Sequence, residues 1–256
     1  MTHLTALSPA IVITLAAIGF VGGVGITAIG LGGILPTIGL FSLTPLGPGQ
    51  VAGTAIVTHV ATGALGTAAY RRSGHLAGRG SRRAMVTLAS TALVGTPLGI
   101  LVNAALSPHG FGIVLAVLVA GVALALIAQR EMPVADEREL PVALVAAIGL
   151  VVAVVAGIVG IGGPMLTVPL LVVCGAPMLD SIAASQAQSV VIAGTGSIGY
   201  LVHGSIDWSI AALVGIPELA GVLIGWRLAR ALPTQVLKRV MVVVLLALVP
   251  YLAVHG

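Results

Sequence analysis

In this chain of 256 residues 58% are hydrophobic and 7% charged. A soluble domain carries about 25% charged residues, so this composition excludes a water-soluble globule and makes lipid the solvent. The net charge of +4 does not indicate nucleic acid, because the basic residues sit in short loops between apolar spans and aromatics for base stacking amount to 3%. The single cysteine, Cys174, excludes disulfides or thiol relays as organising principles.

Met1 to Pro9 contains no Lys or Arg and so lacks the basic start of a secretory signal peptide; the first span is expected to be retained. Apolar spans are predicted at 8–30, 49–71, 84–107 and 110–130, then at 141–160, 178–202, 208–231 and 234–254. Each approaches or exceeds the roughly 20 residues that cross a bilayer as a helix. Two shorter apolar pieces, 33–44 and 163–175, follow Gly32-Gly33 and Gly162-Gly163 and are too short for an ordinary crossing. The charged stretch Glu131–Glu139 divides the chain into a first transmembrane repeat (1–130), a cytoplasmic linker (131–140) and a second transmembrane repeat (141–256).

The division into repeats rests on internal similarity. Ile29-Gly30-Leu31-Gly32-Gly33 returns 130 residues later as Val159-Gly160-Ile161-Gly162-Gly163. At a spacing of 131, Ala52-Gly53-Thr54 returns as Ala183-Ala184-Ser185, Thr58 as Ser189 and Gly63 as Gly194. Gly74 returns as Gly204, and Gly95/Gly99 as Gly221/Gly225. Transporters are often built from such duplicated units, with the substrate held between them. All 11 basic residues fall into three clusters, Arg71–Arg83, Arg130/Arg138 and Arg227–Arg239, and short loops rich in Lys and Arg stay cytoplasmic. The chain must then cross an even number of times between Arg138 and Arg227, so 141–175 forms a full or a re-entrant hairpin. The loop Tyr70–Gly74 becomes cytoplasmic while its counterpart His203–Asp207 becomes external, which makes the two repeats inverted. The predicted fold is therefore all-α, a polytopic membrane protein of two inverted repeats, each with a broken-helix or re-entrant hairpin and together giving about 8 to 10 membrane segments.

The candidate site follows from the breaks. Glycine and proline inside an apolar span free backbone groups that are costly against lipid. Where a helix restarts, its first N–H groups are unpaired and carry the positive end of the dipole. Gly32, Gly33, Gly162 and Gly163 would let an anion approach that backbone; the alternative is close helix packing, the reading preferred for Gly95/Gly99 and Gly221/Gly225. Thr54 and Thr58, like Ser185 and Ser189, are four apart and share a helix face, and with Gln188 they could donate to anion oxygens or bond neighbouring helices. His59, beside Thr58, could supply a positive charge near an anion. Glu218, after Pro217 in mid-span, is the candidate for proton coupling, since an intramembrane carboxylate is expensive and marks function by default. Asp180 and Asp207 read as helix-end or turn residues, and His203 as interfacial.

The glycine pattern Gly160-x-Gly162-Gly163 followed by Pro169, its first-half counterpart Gly30-x-Gly32-Gly33 with Gly53-Thr54, and the turn Arg71-Arg72-Ser73-Gly74 resemble the sulfite exporter TauE/SafE family, also called the sulfonate uptake permease family. The likeness covers both repeats; Pro164 stands where a third glycine is expected, and Pro36 lies closer to its Gly-Gly than Pro169 does. The resemblance implies a multi-pass carrier in the cell inner membrane, not an enzyme, that moves a small sulfur-containing or organic anion such as sulfite or an organosulfonate. Alternating access between the repeats, with proton coupling, is the expected mechanism. The expected partners are the anion and the bilayer, with no nucleic acid, no cofactor and no metal; a homodimer is compatible with the sequence. A passive anion channel is the rival reading. An intramembrane serine protease built on Ser197 and His203 is disfavoured because residues six apart do not share a helix face, and the G-x-G patterns do not sit in a strand–turn–helix unit that would bind a dinucleotide.

Overall fold

The structure is a computed structural model that describes residues 7–30, 32–128, 139–231, 233 and 236. All but residue 236 of the predicted span 234–254, and most of the linker 131–140, lie outside the described residues. Among those described, the chain is all-helical: α1 (Pro9–Ile29), α2 (Ile34–Leu43), α3 (Pro48–Arg72), α4 (Arg79–Ala104), α5 (Pro108–Ala128), α6 (Val142–Val159), α7 (Pro164–Val173), α8 (Met178–Val202) and α9 (Trp208–Ala231). Five helices (α1, α3, α4, α6 and α9) are long and apolar enough to cross a membrane, and the chain is a multi-pass membrane protein. Large apolar side chains such as Ile13, Leu101, Val117, Ile198 and Ile216 are exposed, as a surface facing hydrocarbon requires.

Local sequence sets the helix ends. Pro9 opens α1 behind Ser8, whose hydroxyl accepts from the Ile11 N–H. Asp207 accepts from the N–H groups of Ser209 and Ile210 at 3.0 Å each and caps α9, the helix-end role expected of it. Gly30 and Gly160 end α1 and α6 at φ +83° and +74°, a left-handed conformation that favours glycine. Helix α4 begins at Arg79, before the predicted start at 84, because the Arg79–Arg83 turn extends the apolar span with a charged first turn.

Helices α1 and α2 form a hairpin. Gly22 of α1 lies against Pro36, and Gly39 of α2 lies against Leu15 and Ile18. With ten residues each, α2 and α7 reach about 15 Å, half the thickness of a hydrocarbon core. Pro164 occupies the first turn of α7, where the missing N–H removes no helical bond.

The two halves contribute matching helices, and these pack crosswise. Helix α1 packs along α9, and α4 along α6, through glycines. In the first seam Gly19 meets Val214, Gly23 meets the Glu218 backbone and Gly221 meets Phe20 and Val24, so α1 and α9 run parallel. In the second, Gly149 meets Leu88, Gly95 meets Ala153 and Gly99 meets Gly157, again parallel. Between the seams α3 and α8 run antiparallel, with Gly53 against Tyr200, Gly196 against Ile56 and Gly66 against Gln186. Gly95, Gly99, Gly221 and Gly225 are thus packing glycines that let backbones approach closely.

Candidate functional site

The two helix breaks meet. A β-carbon built on Gly33 would stand 3.5 Å from the Gly162 nitrogen, 3.5 Å from His59 Cε1 and 3.7 Å from His59 Nε2. A β-carbon on Gly162 would meet Ser189 Oγ at 2.6 Å and His59 Cγ at 3.6 Å. The starts of α2 and α7 therefore face one another across the imidazole of α3, with Ser189 of α8 on the far side. Gly33 and Gly163 precede the first helical residues of α2 and α7, so unpaired N–H groups and the positive dipole ends gather here.

His59 is 1% exposed and Glu218 0% exposed, and Nδ1 of the first lies 3.3 Å from Oε1 of the second. The contact is close without hydrogen-bond alignment: His59 Nε2 and both Glu218 oxygens have no hydrogen-bond partner. An unpartnered buried imidazole nitrogen beside two helix starts is the feature here that calls for a ligand, since buried polar atoms are almost always satisfied. Glu218 is positioned by the α1–α9 seam, where Gly23 admits its backbone.

Other sequence-predicted residues have structural duties. Thr54 lies five residues before His59 on α3, where its hydroxyl accepts from the Asp207 N–H at 3.0 Å. Gly32 packs against the α1 backbone at Gly22 and Ile26. Thr58 and Ser185 donate to Ala55 and Ile182 of their own helices, at 2.9 Å each. Gln188 accepts from Thr167 at 2.7 Å and donates to the Gly149 carbonyl at 3.2 Å, and it crowds Gly163, whose β-carbon would lie 2.9 Å from Gln188 Oε1. Gly33, His59, Gly162, Ser189 and Glu218 are the residues that the fold brings together; Gly163 sits at their margin.

The helices also bear on the spacing of the internal matches. Spacing of 131 matched Thr54 with Ser185 and Thr58 with Ser189, but α3 and α8 are uninterrupted helices of 25 residues whose starts and contacts repeat at 130. Gly66 against Gln186 is answered by Gly196 against Ile56. In this register Thr58 corresponds to Gln188, and His59 to Ser189.

Two tyrosines absent from the sequence-level candidates hold the breaks in place. Tyr70 OH donates to the Thr27 carbonyl, and Tyr200 OH donates to the Gly157 carbonyl at 2.7 Å. Donors and acceptors are both 130 apart, so the bonds are repeat equivalents, and each satisfies a carbonyl in the last turn of α1 or α6 that no helical N–H can reach. Asn103 does the same for the Ile158 carbonyl at 2.6 Å, and Gln186 adds a second donor at 3.0 Å to the Ile26 carbonyl, which already accepts from the Gly30 N–H. The spacing of Tyr70 and Tyr200 was the available signal.

At the arginine-rich end, a cavity of about 330 Å³ opens among the starts of α4, α6 and α8, lined by Arg79, Arg83, Glu139, Leu171, Asp180 and Ala184. Asp180 there accepts from Ser81 at 2.6 Å and lies 3.3 Å from His75 Nδ1, tying the α3–α4 loop to α8. Among the described residues no group of three His, Cys, Asp or Glu side chains could hold a metal ion.

Residues 15–252 match the sulfite exporter TauE/SafE family. A 90-residue stretch, 35% of this chain, is 27% identical to the "Probable membrane transporter protein ORF9" of Sinorhizobium sp, of which it spans 34%. No solved structure matches. With nearly the whole chain matched, this protein belongs to the sulfite exporter TauE/SafE family.

Proposed function

We propose that the protein is a carrier of a small sulfur oxyanion, sulfite or an organosulfonate, and that it works by alternating access between two inverted repeats in the inner membrane, with the basic loops cytoplasmic. The unpartnered His59 Nε2 between the starts of α2 and α7 carries this reading. Backbone N–H groups, a hydroxyl and an imidazole suit the pyramidal or tetrahedral oxygens of such an anion. The proton that couples transport resides on the His59–Glu218 pair.

Inversion is supported by direction. Helices α3 and α8 hold equivalent places in the two repeats yet run antiparallel, and the seam α1·α9 becomes α6·α4 when the repeats are exchanged. The cavity beside Arg79 and Arg83 would serve as an anion vestibule on the cytoplasmic side. Counterflow in proteoliposomes tests the reading. Preloading with unlabelled sulfite should accelerate entry of labelled sulfite through a carrier, whereas a channel would show no such stimulation.

A further inference from the structure

His59 and Glu218 are the only buried base and the only buried carboxylic acid among the described residues. The elements around them offer no other charge. Helices α1, α2 and α7 contain no Asp, Glu, Lys, Arg or His. On α8, Asp180 is engaged at the far end with Ser81 and His75. On α3, Arg71 and Arg72 lie in the last turn, and on α9 Arg227 stands nine residues beyond Glu218, about 13 Å along the helix. Tyr70 and Tyr200 are committed to carbonyls as donors. Each member of the pair therefore has only the other to balance it.

Net charge is costly in a dry interior, and two groups in contact titrate as a unit. With one proton between them the pair is neutral, whether written as imidazolium and carboxylate or as imidazole and carboxylic acid. A monoanion seated at His59 Nε2 adds one negative charge, which a second proton cancels. Nε2–H then donates to the anion while Nδ1–H faces Glu218. A dianion would need a third proton, and the pair has no place for one.

We infer that each monoanion enters the site with one proton taken up by the His59–Glu218 pair, so that the empty and the loaded carrier are both neutral and dianions are rejected. This rests on the carrier reading above and narrows it. The transported species is then hydrogensulfite or a sulfonate, not the sulfite dianion and not sulfate. The proton comes from water on the loading side and is released with the anion on the other, so a cycle moves no net charge.

The test uses the purified full chain in proteoliposomes with a pH dye inside and potassium with valinomycin to set the membrane potential. The probes are labelled methanesulfonate, sulfite and sulfate. The expected result is one proton per methanesulfonate, a flux unchanged by the imposed potential, sulfite entry that follows the hydrogensulfite fraction as pH is varied, and sulfate at least tenfold slower. Glu218→Gln should still take up one proton per anion, because His59 is neutral when empty and cationic when loaded. His59→Gln should lose at least tenfold in flux, with no acidification from what remains. A flux driven by the potential, sulfate entering as fast as methanesulfonate, or a Glu218→Gln variant that transports without proton uptake would each overturn the inference while leaving the carrier standing. Absence of flux and of counterflow for all three anions would remove the carrier reading, and the inference with it.

Discussion

A methyl group at position 33 would stand in the space between the Gly162 amide and the His59 ring at ordinary contact distances, with no clash to relieve. Gly33 also has a helical backbone, φ −66°, that alanine accepts. Gly33→Ala should therefore fold with nearly unchanged thermal stability and lose transport at least tenfold, measured as sulfite counterflow. Gly95→Ala is the packing control: its β-carbon would lie 2.7 Å from Ala153 Cβ and 2.8 Å from the Leu150 carbonyl, and such overpacking costs about 1–3 kcal/mol. It should lower the melting temperature at first and transport only as the fold weakens. Gly163→Ala is less clean, because it pushes on Gln188 and so on the Thr167 bond. At this scale the glycines and His59 could be read in the sequence, since an apolar span makes each break and each ionisable group conspicuous. The pairing of His59 with Glu218 could not, because it joins residues 159 apart through the crossing of α3 and α9. Nor could the capture of the Thr58 and Ser185 hydroxyls by their own helices, which depends on a rotamer.

Helix ends inside an apolar bundle are tolerated only when their carbonyls find donors. Here α1 and α6 end in equivalent places and are served by equivalent tyrosines, with Gln186 and Asn103 adding a donor each. Removing a hydroxyl from a buried carbonyl costs about 1 kcal/mol. Tyr70→Phe and Tyr200→Phe should each destabilise by about that much in a denaturant titration monitored in detergent, and the double variant by about the sum, because the two bonds share no partner. A strongly non-additive loss would mean that the two breaks are coupled. The elements themselves were legible: the observed helices fall within a few residues of the predicted spans, except that α4 starts earlier. The register was less so, since small residues recur so often in α3 and α8 that spacings of 130 and 131 both give matches. Two tyrosines, large and rare in this chain, stand 130 apart and favour that spacing, where glycines and serines do not discriminate.

At the scale of the whole molecule, the proposed orientation rests on the basic clusters. With Cys174 replaced by Ala, Arg72→Cys and His203→Cys place a thiol at exposed positions at the ends of α3 and α8. A membrane-impermeant maleimide added to intact cells should label residue 203 and leave residue 72 unlabelled until the membrane is opened. Labelling of both from outside would end the inverted reading. Orientation is proposed from charge alone, because the positive-inside bias acts on loops, before any packing. The partners of each helix could not be read that way, since membrane seams are made by small residues that fit many surfaces. The crosswise seams also have a bearing on the order of synthesis. Helix α1 leaves the ribosome well before α9, for which its glycine face is built and which follows some 180 residues later. Helix α1 must therefore wait in the lipid with its seam open until α9 is made. A ribosome that stops before α9 leaves α1 inserted but not assembled, so the synthesis of α9 decides whether α1 is ever locked in place.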